Sequence, residues 1–164
     1  RSDVCSSDLS WCGSVKTTSC YMPKANWIMR FHATVHARWD DLDAFGHVNN
    51  AKYLTFVQEA RVQMFWTDRV AKGLKHVFDD MVVARAEVDY IKPIYDGALD
   101  VDVAIWCSKV GRAAFDLRYE ISTAKDGVCA KVKTVQVAVD MESKKSRSLR
   151  DDEIAILNEY FEAE

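Results

Sequence analysis

The sequence predicts an α+β fold in which one long helix lies on one face of an antiparallel sheet. Three observations lead to this prediction. Residues 31–39 alternate apolar and polar side chains, as a half-buried strand does. Residues 50–72 repeat apolar side chains at helical spacing. Residues 82–140 alternate again and are interrupted by turns that contain glycine, which indicates successive antiparallel strands.

The first predicted strand runs from Phe31 to Trp39. His32 and His36 both fall on its polar side, and no other potential metal ligands accompany them in a recognisable pattern. A metal site would need further ligands at suitable spacing, and the sequence does not offer them there. Both histidines are therefore expected to face solvent.

The predicted helix, about Asn50 to Lys72, is apolar on more than one stripe, so it is expected to be surrounded by the sheet. A narrow polar line includes Glu59, for which we favour a supporting role over direct catalysis. The apolar residues at helical spacing are Tyr53, Phe56, Val57, Ala60 and Met64, and Leu54, Phe65 and Trp66 widen the stripe. Three of them, Tyr53, Phe56 and Trp66, either line a substrate pocket or belong to the core.

Four strands are predicted after the helix, joined as a meander of hairpins. A short amphipathic helix, Asp151 to Phe161, is expected to close the chain and to pack on the edge of the sheet. The strands are separated at Lys92-Pro93, Asp96-Gly97, Gly111 and Asp126-Gly127, which are residues typical of turns.

Composition and charge restrict the class of protein. A chain of 164 residues with 49% hydrophobic and 29% charged residues suits one globular domain. The net charge of -3 argues against a nucleic-acid partner, which would require a basic surface. No apolar run is long enough to cross a bilayer, so we expect no membrane partner and a cytoplasmic location.

Residues 1–28 have no sustained hydrophobic period, and we expect them to be a non-native or disordered leader, with Met29 as the start of a single domain, 29–164. The leader contains three of the five cysteines. A redox or zinc-binding tail is disfavoured because no close Cys-x-x-Cys pair or nearby histidine accompanies them. The two cysteines outside the leader, Cys107 and Cys129, are expected to be reduced and half-buried in strands.

The segment before the helix combines a carboxylate with a helix start. Asp43 precedes Gly46 by three residues, and Asn49 and Asn50 follow where the helix begins. The first amides of a helix have no intrahelical acceptor and attract an oxyanion, so a carboxylate beside them could serve as base or nucleophile. The same residues also suit a loop that merely caps a helix, and local chemistry leaves both interpretations open.

The string Asp43-x-x-Gly46-His47-Val48-Asn49-Asn50-x-x-Tyr53 resembles the signature of hotdog-fold acyl-CoA thioesterases of the 4-hydroxybenzoyl-CoA thioesterase type. The resemblance continues in the turn 109–114 and the strand after it, and it covers roughly residues 31–164.

The resemblance implies a hotdog fold, in which a curved antiparallel sheet wraps a central helix, and hydrolysis of an acyl-CoA thioester. It assigns to Asp43 either attack on the thioester carbonyl or activation of water. The backbone amide of Asn50 would polarise the carbonyl. It further implies a homodimer or tetramer with active sites at the dimer interface, no metal, and no cofactor other than the coenzyme A of the substrate.

Several roles stay open at this point. His47 and Asn49 either orient the carboxylate or water, or only fix the loop. Arg112, assisted by Lys109, either binds a phosphate of coenzyme A or belongs to an ordinary charged turn. Other functions also remain: an acyl-carrier-protein thioesterase, another hotdog enzyme such as a dehydratase, or a non-catalytic acyl-CoA binding module. Asp43 argues against the last, because a pure binder gains little from an acid beside the carbonyl.

Overall fold

The computed structural model describes residues 29–97 and 99–163, so the predictions for the leader lie outside the described residues. The fold is one five-stranded antiparallel sheet in the order β1-β3-β4-β5-β2, with helices on one face. The strands are β1 (Phe31–Ala37), β2 (Met81–Tyr90), β3 (Leu99–Val110), β4 (Ala114–Thr123) and β5 (Gly127–Ala138), and the helices are α1 (Lys52–Val62), α2 (Asp68–Ala71) and α3 (Asp151–Glu159).

The strand order corrects one expectation. The meander β3-β4-β5 is present as predicted, but β2 and β3 do not form a hairpin. Instead β2 crosses to the far edge and pairs with β5, while β3 pairs with β1. Strand alternation shows which residues share a face but does not show which strands are neighbours.

The antiparallel pairing gives the sheet two ends. At the near end β1 finishes at Ala37 and β2 finishes at Tyr90. At the far end β3 turns into β4 beyond Val110, and β2 begins at Met81. The loop that leads from β1 to α1 therefore leaves the sheet at the near end.

The long helix is confirmed. It continues from α1 through a π-helical segment (Gln63–Thr67) into α2, and it packs over β1 and β3. Of the residues predicted to widen its apolar stripe, Phe65 is buried whereas Leu54 and Trp66 remain partly exposed. The side chains that the helix buries in the core are Tyr53, Phe56, Val57, Ala60, Met64 and Phe65.

The edge strand β2 is uncovered on both faces. Its inner-facing residues Val83 and Ala86 pair with the buried Gln136 and Thr134 of β5 but are themselves exposed, Val83 by 47%. The other edge strand differs, because Ala33 and the other inner residues of β1 lie buried under α1. One edge of this sheet thus presents apolar side chains and unpaired backbone groups together.

His32 and His36 face solvent as predicted, and each contacts a carboxylate of β3, Asp102 at 3.0 Å and Asp100 at 2.9 Å. Gly97, in a predicted turn, lies against the backbone of Trp39; an added Cβ would come within 2.9 Å of the Trp39 Cα. In the described ranges no helix is long and apolar enough to span a membrane.

The last helix, α3, is attached to the far end of the sheet by buried charges. Glu153 is fully buried and accepts hydrogen bonds from the guanidinium of Arg147 at 2.8 and 2.9 Å. Arg147 also binds Asp80, which precedes β2. The sequence predicts the amphipathic helix but not this cluster, because its members come from three separate segments.

Candidate active site

The loop that contains Asp43 is a tight turn. The Asp43 N–H donates to the His47 carbonyl at 2.9 Å, and the Gly46 N–H donates to the Asp43 carbonyl at 3.0 Å. Gly46 has a φ of 77°, a conformation that glycine adopts without steric cost. The turn therefore folds Asp43 and His47 back towards each other.

The Asp43 carboxylate is fixed by neighbouring groups but remains partly exposed to solvent. Its Oδ1 accepts a hydrogen bond from the Phe45 N–H at 2.8 Å, and its Oδ2 lies 3.3 Å from His47 Nδ1. The side chain is 20% exposed. A carboxylate that is fixed in this way but still reaches solvent can act on a bound molecule.

Asn49 stabilises the turn that leads into α1. Its side-chain Oδ1 accepts from the Ala51 N–H at 2.9 Å, and its carbonyl accepts from the Lys52 N–H at 2.9 Å. Its own N–H donates to the Asp41 carbonyl at 2.8 Å. The structure thus places Asn49 as a capping residue, and its side chain does not line the cleft described below.

The backbone N–H of Asn50 has no acceptor among the described residues. The peptide that follows it is fixed, because the Tyr90 hydroxyl donates to the Asn50 carbonyl at 2.9 Å. A free amide at a helix start is a donor for an oxyanion. This is the group that the sequence predicts for polarising a carbonyl.

Asp41 is a buried anchor of this loop that sequence reasoning missed. Its carboxylate accepts from the Arg38 N–H at 2.8 Å and pairs with Lys52 Nζ at 2.8 Å. Burial raises the pKa of Asp41, but the Lys52 and Arg38 hydrogen bonds outweigh it and hold that pKa below its usual range. The sequence signal that could have revealed this anchor is the spacing of Arg38 and Asp41, because an acid three residues after the start of a helical turn can accept from the first backbone N–H.

A cleft of about 390 Å³ opens beside these groups at the near end of the sheet. The rings of Tyr53 and Tyr90 meet edge to face at 5.1 Å, and burial raises the pKa of Tyr53. Phe45, 83% exposed, stacks on His47 at the rim. The cleft is lined by Asp43, Phe45, His47, Val48, Asn50, Tyr53, Tyr90, Ile91, Lys92 and Pro93.

The structure brings Asp43, His47, Asn50 and Tyr53 together at the cleft, whereas the other four predicted site residues do not line it: Asn49, Glu59, Lys109 and Arg112. Glu59 is half-buried on α1 and does not line the cleft.

Lys109 and Arg112 are exposed at the far end of the sheet. They lie roughly 30 Å along β3 from the near end, at about 3.3 Å per residue. One copy of the chain therefore does not bring Arg112 to Asp43. In the described part of the chain no cluster of three or more His, Cys, Asp or Glu side chains could hold a metal ion.

Comparison with protein families gives a match over residues 37–157 to the thioesterase-like superfamily. The chain belongs to this superfamily. Asp43, the turn at Gly46 and the start of α1 all fall inside the matched residues.

Individual relatives of this thioesterase-like chain agree with that assignment. An uncharacterized Bacillus subtilis protein, YsmA, is 27% identical over 134 residues, which are 80% of this chain and 89% of that protein. A predicted thioesterase from Bacillus stearothermophilus is 25% identical, with a TM-score of 0.69 over 83% of this chain and 99% of that one. A Thermus thermophilus thioesterase complexed with coenzyme A and zinc is 29% identical, with a TM-score of 0.64 over 79% of this chain and 92% of that one.

The shared architecture confirms the hotdog fold. The curved antiparallel sheet, the long helix and the short C-terminal helix of this chain match those neighbours.

Proposed function

We propose that this protein hydrolyses acyl-CoA thioesters and that Asp43 is its catalytic carboxylate. One observation carries the proposal: the same cleft is lined by Asp43 and by Asn50, whose backbone N–H has no acceptor among the described residues. A thioester carbonyl between them would meet a base or nucleophile on one side and an oxyanion donor on the other. The coenzyme A of the Thermus thioesterase supports the choice of thiol.

The reaction adds water across the acyl–sulfur bond. The carbonyl oxygen accepts the Asn50 N–H, which stabilises the negative charge that develops there. Asp43 either attacks the carbonyl carbon, giving an anhydride that water then hydrolyses, or takes a proton from the water that attacks. Either route releases the free acid and the thiol of coenzyme A, and neither requires a bound cofactor or metal.

His47 and Tyr90 position these two groups. The His47 ring packs beside the carboxylate, with Nδ1 3.3 Å from Asp43 Oδ2, and the same nitrogen is within hydrogen-bond distance of the Val48 carbonyl at 3.4 Å. The Tyr90 hydroxyl holds the Asn50 carbonyl, which fixes the adjoining peptides. Tyr90 ends β2 while Asn50 precedes α1, so the oxyanion donor depends on the edge strand being in place.

The direct test is thiol release from a panel of short, long and aromatic acyl-CoAs. Release from any member, together with the Asp43 dependence described in the Discussion, supports the proposal. Release only from acyl-carrier-protein thioesters would overturn the choice of coenzyme A. Binding of the panel without any release would overturn hydrolysis itself.

We also propose that two copies pair through their β2 edges. The edge of β2 carries exposed apolar side chains beside unpaired backbone groups, and such edges are normally covered. An antiparallel β2–β2 pair would extend one sheet across two copies and keep the helices on the same face.

We expect Val83→Lys to weaken dimer formation at least about a hundredfold, because it puts an unpaired charge into an apolar interface. Sedimentation equilibrium of both proteins measures this. Thr34→Lys, an exposed change on the other edge strand, is the matched control. A monomeric wild type, or equal dimer stability in all three proteins, would refute the pairing.

That pairing would give Arg112 a place in the site. The antiparallel arrangement reverses the partner's sheet, so the partner's far end lies beside this copy's near end. The partner's Arg112, with its Lys109, would then lie near the opening of the cleft, where it could bind the nucleotide phosphates of a coenzyme A thioester.

Arg112→Gln is expected to raise KM for acyl-CoA roughly tenfold, since a charge-assisted hydrogen bond to phosphate is lost. The same acyl group on pantetheine, which lacks the nucleotide, serves as the control substrate. The KM of the variant should differ from the KM of the wild type for the coenzyme A thioester but not for the pantetheine thioester. Equal effects on both substrates would exclude a phosphate contact.

Two remaining features fit this proposal. We propose a cytoplasmic location, which is supported by Cys107 and Cys129, both free and buried as is usual in a reducing compartment. Burial raises the pKa of the Cys107 thiol to about 11, so this thiol is not a competing nucleophile.

A further inference from the structure

A second cavity lies along the same helix as the cleft. It has a volume of about 210 Å³ and lies between α1, the π-helical segment and the start of β2. Phe65, Trp66, Phe78 and Met81 form its apolar walls, and Arg61 is the one guanidinium among its lining residues.

Arg61 is a half-buried cation with no counter-ion among the described residues. Its Nη1 donates to the Tyr119 hydroxyl at 3.3 Å, and within residues 29–97 and 99–163 it forms no ion pair with a carboxylate. Cations that are withdrawn from water are normally paired, because the desolvation cost is otherwise uncompensated. A guanidinium has five N–H donors, so most of those of Arg61 remain available to a ligand.

The Arg61 side chain is held in place by polar side chains of the sheet. Tyr119 is fully buried, and its hydroxyl is 3.2 Å from Thr134 Oγ1. Thr134 in turn accepts from Gln136 Nε2 at 2.7 Å. This row of polar groups fixes the guanidinium without neutralising its charge.

The cleft and the Arg61 cavity lie at opposite ends of β2. The cleft is bounded by Tyr90, where β2 ends, and the cavity by Met81, where β2 begins. Between them the inner-facing side chains of β2, among them Val83 and Ala86, are exposed in the single copy of the chain. Arg61 follows Asn50 by eleven residues, about 16 Å along a helix axis, and helical side chains lean back towards the N-terminus.

We propose that Arg61 binds a carboxylate at the far end of the acyl chain, so that the preferred substrates are coenzyme A monothioesters of dicarboxylic acids. This inference rests on the proposed thioesterase function. In this arrangement the thioester occupies the cleft beside Asp43, the methylene chain lies along the exposed inner face of β2, and the terminal carboxylate pairs with the guanidinium. An acyl chain with an apolar end would leave that half-buried cation unpaired.

One acidic group faces the cavity. Asp79 lines its rim, but this carboxylate is half-exposed and pairs with His76 Nε2 at 3.1 Å. Solvent and salt screen its repulsion of a bound anion more strongly than they screen the half-buried Arg61. The charge of Arg61 therefore outweighs that of Asp79 at the inner end of the cavity, which favours the binding of an anion.

The test uses the full chain and two matched series of substrates, straight-chain acyl-CoAs and dicarboxylic mono-CoA thioesters of the same lengths. We measure kcat/KM for every member. The wild type is expected to prefer the carboxylate-ended substrate at least about tenfold, the value of one charge-assisted hydrogen bond. The preference should peak at one chain length, at which the carboxylate reaches Arg61.

Arg61→Gln is expected to bring the ratio between the two series close to one, and Arg61→Lys to retain part of it. Arg69→Gln, the same change farther along the helix, should leave the ratio as in wild type. A ratio is used because a purely structural role of Arg61 would lower both series equally. If Arg61→Gln does not fold, the wild-type length series and Arg61→Lys still decide the question.

Equal kcat/KM for the two series in wild type would overturn this inference and leave the proposed hydrolysis intact. An equal loss on both series in Arg61→Gln would do the same. Failure to hydrolyse any coenzyme A thioester would overturn the proposed function and this specificity with it.

Discussion

Asp43→Asn is expected to lower kcat for acyl-CoA hydrolysis at least about a hundredfold, the usual minimum for the loss of an acid-base group. The amide keeps the shape of the carboxylate and can still accept the Phe45 N–H through its oxygen. It can neither attack the carbonyl effectively nor take a proton from water. Thiol release under saturating substrate measures the effect.

Substrate binding should survive this change, because the cleft walls and the Asn50 amide are untouched. Calorimetry with a non-hydrolysable acyl-CoA analogue checks that expectation. Asp40→Asn, an exposed acid in the same loop, is the matched control and should retain wild-type turnover. Undiminished kcat in Asp43→Asn would remove the proposed mechanism.

The parts of this site that the sequence predicts are the local ones. Asp43, Gly46 and Asn50 lie within eight residues, so turn chemistry and helix capping determine their relative placement. The long helix and the strands follow from the period of the hydrophobic side chains. The same period marks Tyr53 as either a pocket or a core residue, and the structure shows it buried in the core and lining the cleft.

The parts that the sequence does not predict depend on strand order. Tyr90 reaches Asn50 because β2 crosses to the edge beside β5, whereas a simple hairpin would have placed it next to β3. The contact of Arg61 with Tyr119 joins a helix to a strand fifty-eight positions later. Each such contact needs the global topology, which side-chain alternation alone does not encode.

Arg112 illustrates a different limit. Motif resemblance can associate two residues with one ligand without stating that they come from one copy of the chain. Here Arg112 lies at the end of β3 opposite to the loop of Asp43, and only a reversed second copy would bring the two together. Analysis of the sequence strand by strand also could not show whether the edge of β2 is covered or uncovered.

Removing the carboxylate of Glu153 should have the largest effect on stability. This residue is fully buried, accepts from both Arg147 and Arg150, and also caps the Arg150 N–H at 2.8 Å. Glu153→Leu leaves the Arg147 guanidinium with Asp80 alone and leaves the first turn of α3 uncapped. Breaking a buried charge pair from one side costs about 3 kcal/mol, so the free energy of unfolding should fall by that amount.

Urea denaturation of wild type and variant measures this difference. Asp151→Asn, an exposed acid in the same helical turn, is the control and should change the free energy of unfolding by less than about 0.5 kcal/mol. Equal stability of Glu153→Leu and wild type would show that the cluster contributes nothing net, as some buried ion pairs do.

The same cluster predicts how stability responds to acid. The Arg147 hydrogen bond holds the pKa of Asp80 below its usual range, although partial burial opposes this. A carboxyl with a lower pKa in the folded state stabilises the fold above its unfolded pKa, and this contribution is lost as pH falls through the folded value. Part of the wild-type stability should therefore disappear below roughly pH 4.

Asp80→Asn should remove this component of the acid response, whereas Glu153→Leu should retain it, because Arg147 still pairs with Asp80. Denaturation midpoints of the three proteins, measured from neutral pH downwards, distinguish these outcomes, and an identical acid response in Asp80→Asn and wild type would contradict the assignment.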